Sequence, residues 1–224
     1  MNESERLLAD YARRDSEVPP DRYAPSNPAH LFIRQTVERA MVEMLPPLAG
    51  RGVLEVGCGA GQLPADLETL GASRERLAGI DLVPERVAAA RARLQGADIR
   101  EGSAASLPWP DRSFDLVVQS MMLSSILDQD VRARAAREMA RALAPGGLVL
   151  SYDFFVRSPG NPGVRPLTRD ELSKLFPGFE LRWRRVTLAP PLVRLLVPRL
   201  RPIAAALQAL RIFDTHAMAV LRRR

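Results

Sequence analysis

The sequence predicts an α/β protein built on a doubly wound, mostly parallel sheet of the Rossmann type. Strand-like and helix-like segments alternate along the middle of the chain, as they do in successive β-α-β units. Strand candidates such as Phe114–Val118 are nearly continuous apolar runs, which indicates strands covered by helices on both faces. The first candidate, Val53–Val56, leads straight into a glycine-rich turn and then a helix, the arrangement of a nucleotide-binding loop.

Residues 1–48 are predicted to form an N-terminal helical clasp or lid. A short helix over residues 5–13 is followed by a proline-rich connector. Asn27 and Pro28 suit the N-cap and the first turn of a second helix, and apolar residues at helical spacing continue it to Leu45. We expect this second helix to pack on the sheet.

Residues 49–155 are predicted to form the cofactor-binding core. Short apolar strands alternate here with amphipathic helices, and the turn Pro145–Gly147 is expected to precede the fifth strand. The predicted strands are residues 53–56, 77–81, 98–100, 114–118 and 147–152, and the helices between them are residues 63–70, 84–94 and 131–143.

Residues 156–224 are predicted to supply an acceptor-side insertion and the closing strands. Thr168 and Glu171 have the spacing of a capping box, which predicts a helix that begins at Thr168. No internal repeat and no second core is visible, so residues 1–224 are predicted to form a single domain. The remaining predicted elements are a helix over residues 168–176, a strand over 179–188, a helix over 190–210 and a strand over 215–221.

The glycine loop and two acids predict a site for a nucleotide-like cofactor. Gly57, Gly59 and Gly61 permit the positive φ angles of a tight strand-to-helix turn, and we expect their backbone N–H groups to be free to bind. Asp81 lies twenty positions after Gly61, where doubly wound folds place the acid that binds a ribose diol. Glu55 precedes the loop, and its carboxylate suits a cationic ligand.

The spacing of the loop argues against a nicotinamide-dependent dehydrogenase. The nicotinamide fingerprint is G-x-G-x-x-G, whereas here the third glycine, Gly61, comes one residue early and Gln62 takes the expected position. Such an enzyme also needs a second mononucleotide-binding half or a substrate domain, and 224 residues leave little room for either.

Three motifs occur in an order that is typical of one enzyme family. They read E-V-G-C-G-A-G-Q at 55–62, I-D-L-V-P-E at 80–85 and L-P-W-P-D-R-S-F-D-L-V-V at 107–118. From Val53 to Leu150 the chain closely resembles the class I S-adenosylmethionine-dependent methyltransferases, in their small-molecule, methyltransferase type 11-like branch. The resemblance implies seven strands with the last antiparallel between the fifth and sixth. It also implies S-adenosylmethionine as cofactor and S-adenosylhomocysteine as its product.

The resemblance also implies which residues contact the cofactor. The family often has G-D-A after the third strand, whereas this chain has Gly102-Ser103-Ala104, so the Ser103 hydroxyl and the Ala104 N–H are expected to recognise adenine. Trp109 is expected to pack in the core or beside the adenine. The full set of expected cofactor contacts is Glu55, Gly57, Cys58, Gly59, Gly61, Asp81, Leu82, Ser103, Ala104 and Gln119.

The acceptor side carries a weaker signal. Methyl transfer is an in-line displacement that mainly needs alignment, and a base is required only for protic oxygen acceptors. His30 is a candidate for this base, although it also fits an ordinary helix-start residue. The other candidates are Asp153 and Tyr152 at the end of the fifth strand, Tyr23 in the clasp, and Asp115. The expected substrate contacts are Ser120, Tyr152, Asn161 and Arg165.

The predicted reaction is methylation of an oxygen on a sugar, glycolipid or natural product. Amine methyltransferases often carry N/D-P-P-Y/F after the fourth strand, and this chain has Gln119-Ser120-Met121-Met122 there instead. N-methylation of a small amine remains an alternative. Because Cys58 is the only cysteine, neither an internal disulfide nor a metal site is expected.

Positive charge is concentrated at the C-terminal end of the chain. Residues 181–224 contain ten arginines and one acid, a net charge of +9, whereas residues 1–180 have a net charge of −3. A noncatalytic role in binding nucleic acid or an anionic membrane is therefore a further alternative. The mixture of arginine with apolar residues makes nucleic acid the less expected partner and favours peripheral membrane contact through residues 190–211. The start of the chain is polar, which predicts a cytoplasmic location.

Overall fold

The computed structural model describes residues 2–157 and 163–224, which form one seven-stranded sheet with helices on both faces. The strands are β1 Val53–Val56, β2 Leu77–Asp81, β3 Asp98–Glu101, β4 Phe114–Ser120, β5 Leu143–Phe154, β6 Phe179–Leu188 and β7 Asp214–Arg223. The helices are α1 Glu3–Glu17, α2 Pro28–Met44, α3 Gln62–Thr69, α4 Pro84–Arg93, α5 Gln129–Ala142, α6 Arg169–Leu175 and α7 Pro190–Leu210.

The strand order confirms the predicted fold class. It is β3-β2-β1-β4-β5-β7-β6, with parallel pairing from β3 through to β5. The last strand, β7, lies between β5 and β6 and runs antiparallel to both. The chain winds outward in one direction from β1 to β3 and then resumes on the other side of β1 with β4. In an open α/β sheet, ligands bind beyond the carboxyl ends of the strands at this reversal.

Most predicted element bounds differ from the observed ones by a few residues, but β5 differs more. The turn Pro145–Gly147 was expected before this strand, and in the structure the strand already begins at Leu143 and includes it. The irregularity falls where the β4–β5 register shifts between Phe114 and Leu116. The sheet therefore absorbs the glycines as a local distortion of the strand instead of ending there.

Each face of the sheet buries its own apolar cluster. On one face, α2 and α3 contribute Met41 and Leu67, which pack against Val118 and Leu150. On the other face, α5 and α6 cover residues such as Val117 and Val149. Continuous apolar strands are thus explained by helices on both sides.

Trp109 belongs to the core and does not line the ligand edge. Its ring meets Phe114 edge to face, with 5.7 Å between ring centroids. Its Nε1 donates a hydrogen bond to the Asp98 Oδ2 at 2.8 Å, so the one polar atom of this buried side chain is satisfied.

The helix α7 folds back on itself at a kink. Leu200 has non-helical angles of φ −130° and ψ 42°, and Pro198 and Pro202 flank it within the helix. The N–H of Ala189 donates to the Phe213 carbonyl at 2.9 Å, so the two ends of α7 meet at the carboxyl end of β6. The result is a helical hairpin that stands at the ligand edge of the sheet. Among the described residues, no helix is long and apolar enough to cross a membrane.

A buried arginine ties α5 to α6. Arg132 donates from Nε to the Ile126 carbonyl at 2.8 Å and from Nη1 to Glu171 Oε1 at 2.7 Å. The Thr168 hydroxyl accepts the Glu171 N–H at 3.2 Å, which is the first half of the predicted capping box. The second half does not form, because the Glu171 carboxylate binds Arg132 and Arg165 instead.

Arg132→Met should lower the free energy of unfolding by about 2–4 kcal/mol, because it leaves the Ile126 carbonyl without its charged donor and Glu171 with Arg165 alone. Urea unfolding followed by circular dichroism measures this change. Arg137→Met, at an exposed position of the same helix, is the matched control. Equal stability of the two variants would contradict the assigned role of Arg132.

Candidate functional site

An open cleft of about 530 Å³ lies beyond the carboxyl ends of β1, β2 and β3. Five of the predicted cofactor contacts line it together, namely Gly57, Asp81, Leu82, Ser103 and Ala104. Helix α1 lines the opposite wall, where its contributing residues are Ser4, Leu7 and Tyr11. The cleft therefore coincides with the strand-order reversal where a nucleotide-like ligand is expected.

The glycine loop is held from below by the end of β2. The N–H groups of Gly57 and Cys58 both donate to the Ile80 carbonyl, at 2.8 and 3.0 Å. The N–H of Gly59 donates to Asp81 Oδ2 at 2.8 Å. The N–H groups of Gly57, Gly59 and Gly61 were expected to be free to bind, and this expectation is wrong. The end of β2 accepts the first two, and the Cys58 carbonyl accepts the Gly61 N–H at 2.9 Å.

The glycines of the loop differ in the space around them. A Cβ on Gly57, where φ is +79°, would lie 2.7 Å from Met122 Cγ, so any larger residue would collide with the chain after β4. A Cβ on Gly59 would meet no atom within 4 Å, so this position opens onto unfilled space. Gly61, with φ +75°, starts α3 without a side-chain cap and leaves that helix end available to an anionic group.

Glu55 is a buried carboxyl group with an unsatisfied atom. Its side chain is almost completely enclosed, and within the described chain its Oε2 has no hydrogen-bond partner. Burial, followed by the nearby charges of Asp81 and Asp66, raises the pKa of Glu55 well above its ordinary value. A cation placed beside it would relieve both effects.

Asp81 combines a structural and a ligand-facing position. Its Oδ2 accepts the Gly59 N–H, and its Oδ1 accepts the Val83 N–H at 3.0 Å. The carboxylate still lines the cleft, and each oxygen has a lone pair left to accept a further hydrogen bond. Neighbouring Ser103 likewise accepts from the Ala105 N–H at 3.2 Å while it lines the cleft.

Five predicted cofactor contacts are not among the residues that line the cleft, namely Glu55, Cys58, Gly59, Gly61 and Gln119. The Cys58 side chain packs into an apolar cluster with residues of α4, and burial raises the pKa of its thiol. Gln119 is fully buried, and its Oε1 accepts the N–H groups of Met122 and Leu123 at 3.0 and 3.2 Å. Its Nε2 donates to the Ser151 Oγ at 2.6 Å. Gln119 thus braces the chain after β4 and does not line the cleft.

The turn after β4 is strained where the acceptor was expected. Met121 adopts φ +56°, a left-handed conformation that is costly for a residue with a side chain. Ser120, just before it, is partly exposed, as the prediction of a substrate contact requires. The hydrogen bonds to Gln119 hold Met122 and Leu123, the two residues that follow Met121, and this explains how the strained conformation persists.

The predicted residues of β5 are more enclosed than expected. The Tyr152 hydroxyl pairs with the Thr187 Oγ1 at 2.7 Å, its ring stacks on His216 at 5.4 Å, and burial raises the pKa of the phenol. Asp153 accepts the N–H groups of Ser124 at 3.1 Å and of Phe154 at 2.8 Å. Burial raises the pKa of Asp153 to about 6. Neither side chain lines the cleft.

The remaining predicted residues are scattered. Tyr23 is 58% exposed and meets His30 edge to face at 5.7 Å, and neither lines the cleft. Burial, followed by the charge of Arg34, lowers the pKa of His30. Arg165 donates its backbone N–H to the Ser124 carbonyl at 2.8 Å, and its guanidinium pairs with Glu171. Asn161 lies outside the described residues.

Comparison with known proteins agrees with this geometry. A family model described as a methyltransferase domain matches residues 54–151. A probable S-adenosylmethionine-dependent methyltransferase from Mycolicibacterium smegmatis is 41% identical over 143 residues, which cover 59% of this chain and 53% of that protein. Residues 54–151 are a methyltransferase domain of the S-adenosylmethionine-dependent type. The cofactor is accordingly S-adenosylmethionine.

Two further relatives are named for different acceptors. A demethylmenaquinone methyltransferase from Desulfitobacterium hafniense is 26% identical over 196 residues, 81% of this chain and 76% of that protein. A 27-O-demethylrifamycin SV methyltransferase from Amycolatopsis mediterranei is 34% identical over 119 residues, 50% of this chain and 42% of that protein. The chain spans about half the length of the curated relatives it matches first.

The residues present fit the cofactor. S-adenosylmethionine carries an ammonium and a sulfonium, and the unpartnered buried carboxyl of Glu55 matches this cationic end. The uncapped start of α3 suits the amino-acid carboxylate, and Asp81 suits the ribose hydroxyls. Ser103 and Ala104 line the cleft, and the family pattern implies that they recognise adenine.

Sequence analysis placed α1 in an N-terminal clasp or lid but named none of its residues that line the cleft. Glu3 Oε1 accepts the Leu127 N–H at 2.7 Å, and Arg6 Nη2 donates to the Ser125 carbonyl at 2.6 Å, so the helix is tied to the segment after β4. The guanidinium of Arg86 lies 4.4 Å from the Tyr11 ring centroid. The available signal was Leu7 and Tyr11, an i, i+4 pair on an otherwise polar helix.

Binding of S-adenosylmethionine should tighten as the pH rises from below to above the raised pKa of Glu55, because a cation favours the ionised form of this carboxyl. In Glu55→Gln the affinity should fall about tenfold or more at the upper pH, and this dependence should disappear. Titration calorimetry measures both quantities. Glu180→Gln, at an exposed position of β6, is the control. Identical pH slopes in wild type and Glu55→Gln would exclude Glu55 as the cation partner.

Asp81→Asn should weaken binding of both S-adenosylmethionine and S-adenosylhomocysteine by about 1–3 kcal/mol, because the amide loses one of two acceptor oxygens for the ribose. Calorimetry with both compounds measures the loss, and thermal unfolding shows whether the glycine loop still folds. A folded variant with unchanged affinity would refute the ribose assignment.

Proposed function

We propose that this protein transfers a methyl group from S-adenosylmethionine to an oxygen atom of a small or medium acceptor, such as a sugar, a glycolipid or a natural product. The proposal of methyl transfer rests on the Glu55 carboxyl, which has an unpartnered oxygen and lies beside the glycine loop and Asp81. These acidic groups match a cationic cofactor. The nicotinamide cofactors present a pyrophosphate to this loop, and a buried acid beside it would repel that group.

The residues of the chain supply binding, orientation and exclusion of water. When bound, S-adenosylmethionine would supply an electrophilic methyl group on a sulfonium, and attack of the acceptor oxygen on the methyl carbon would release the neutral thioether S-adenosylhomocysteine. Glu55 holds the cationic end, Asp81 holds the ribose, and α1 covers the adenosine side of the cleft. The acceptor oxygen forms a bond to the methyl carbon and releases one proton, which a base must take.

Asp153 is our first candidate for this base. Its pKa of about 6 leaves it ionised at neutral pH yet able to accept a proton. It follows Tyr152, which pairs in register with Ser120 on the neighbouring strand, so both strands end beside the strained turn after β4. His30 and Tyr23 are weaker candidates, because they contact each other at the N-terminal end of α2 and burial lowers the pKa of His30, which makes it a weaker base.

Two observations support an oxygen acceptor. The chain after β4 lacks the N/D-P-P-Y/F motif that grips planar nitrogen acceptors. The relative from Amycolatopsis mediterranei is named for methylation of an oxygen on a natural product. N-methylation of a small amine is the second candidate, because the transfer itself needs alignment alone and amines need no strong base.

Incubation with S-adenosylmethionine and a panel of hydroxyl, amine and activated-carbon acceptors should yield S-adenosylhomocysteine with hydroxyl compounds, and mass spectrometry with NMR locates the new methyl group. Asp153→Asn should lower kcat about 100-fold while the Kd for S-adenosylmethionine stays unchanged, because the carboxylate takes the proton. Asp170→Asn, on the exposed side of α6, is the control. Methylation confined to nitrogen or carbon would refute the oxygen assignment. Full activity of Asp153→Asn would exclude Asp153 as the base.

A further inference from the structure

Exposed apolar side chains are concentrated on α7 and the turn after it. Of the ten large apolar residues that are exposed in the described parts of the chain, six lie between positions 195 and 213. Leu195 is 68% exposed and Leu210 is 65% exposed, although α7 already buries Val193 and Val197 against α2. The six residues are Leu195, Leu200, Ile203, Leu210, Ile212 and Phe213.

The same region is strongly basic. Residues 190–213 contain four arginines and no acidic residue. Beside α7, a cleft with about 880 Å³ of empty volume opens between α2, β6 and α7. None of the residues that line it is acidic, and its arginines are Arg39, Arg184, Arg185, Arg201 and Arg211.

Most of these arginines have their charge available for a ligand. Arg184 pairs with Glu43, which lies outside the lining, and Arg201 reaches the Gln35 Oε1 at 3.3 Å. No ion pair involves Arg39 or Arg211 in the described segments. Guanidinium groups are well suited to phosphate, because their planar donors match its oxygens.

The combination of features selects one occupant. Nucleic acid offers phosphates, but its protein interfaces are polar, and six exposed apolar side chains do not fit such a surface. A second copy of the chain would bring an equal positive charge against the region. An anionic lipid bilayer offers both phosphates for arginines and an apolar layer for the leucines and phenylalanine.

We propose that α7, its following turn and the adjacent arginine cleft form a docking surface for an anionic lipid bilayer. The exposed apolar side chains enter the interfacial layer, and the arginines bind headgroup phosphates. The two ends of α7 meet at the carboxyl end of β6, where Leu188 pairs with Asp214. This is the edge of the sheet that also carries the cofactor cleft. Docking therefore holds the ligand edge beside the bilayer, and this last step rests on the proposed function.

Co-sedimentation of the whole chain with vesicles tests the docking without any assay of methyl transfer. The protein should pellet with vesicles that contain phosphatidylglycerol and stay in solution with pure phosphatidylcholine. Leu195→Gln combined with Leu210→Gln should weaken binding about tenfold or more, and so should Arg201→Gln combined with Arg211→Gln. Leu8→Gln and Arg137→Gln change exposed residues of α1 and α5 and should leave binding unchanged.

Calorimetry with S-adenosylmethionine on each variant tests whether the fold and the cofactor site are intact, independently of vesicle binding. Equal binding to both vesicle types, or unchanged binding of either double variant, would overturn the proposal. RNA that competes fully with the vesicles, together with no effect of the leucine substitutions, would also overturn it and would assign the surface to nucleic acid. Failure of methyl transfer alone would leave the docking result intact.

Discussion

The cofactor edge depends on one clamp between neighbouring strands. The Ile80 carbonyl and the Asp81 carboxylate accept the N–H groups of Gly57, Cys58 and Gly59, three consecutive residues. This clamp fixes the loop in left-handed conformations that glycine tolerates at positions 57 and 59. With the loop fixed, α3 starts at a defined place and the cleft stays open above β2. The ligand site is therefore a product of strand pairing more than of the loop itself.

The site also carries an electrostatic cost that a ligand can relieve. Glu55 is buried near two other acids, and without a cation its carboxyl has one unsatisfied oxygen. Arg132, in contrast, is buried on the opposite side of the sheet with its donors satisfied. A protein tolerates the first arrangement only where function benefits, whereas the second stabilises the fold directly. The difference separates a site prepared for binding from a structural ion pair.

Features set by local spacing were predictable, and those set by tertiary packing were not. The strand, the glycine loop and Asp81 follow one another within a β-α-β unit, so the sequence locates them directly. The contribution of α1 to the cleft depends on contacts with residues about 120 positions away, such as Leu127. Gln119 was placed at the cofactor by its strand position, but its side chain points to Ser151 and the turn after β4. The position of a residue in a strand fixes where its backbone lies, but it does not determine which face of the sheet its side chain points to.

The two ends of α7 meet, so the surface that this helix presents is separate from the strand pairing beside it. Because Ala189 and Phe213 are joined by one backbone hydrogen bond, the hairpin between them behaves as an insertion into a short β6–β7 connection. Substitutions of its exposed residues, such as Leu195 and Leu210, change the surface and leave the residues that pair β6 with β7 untouched. The fold thus permits this segment to diversify among relatives while the sheet and the glycine loop stay constant, so the surface presented by the protein can evolve independently of its chemistry.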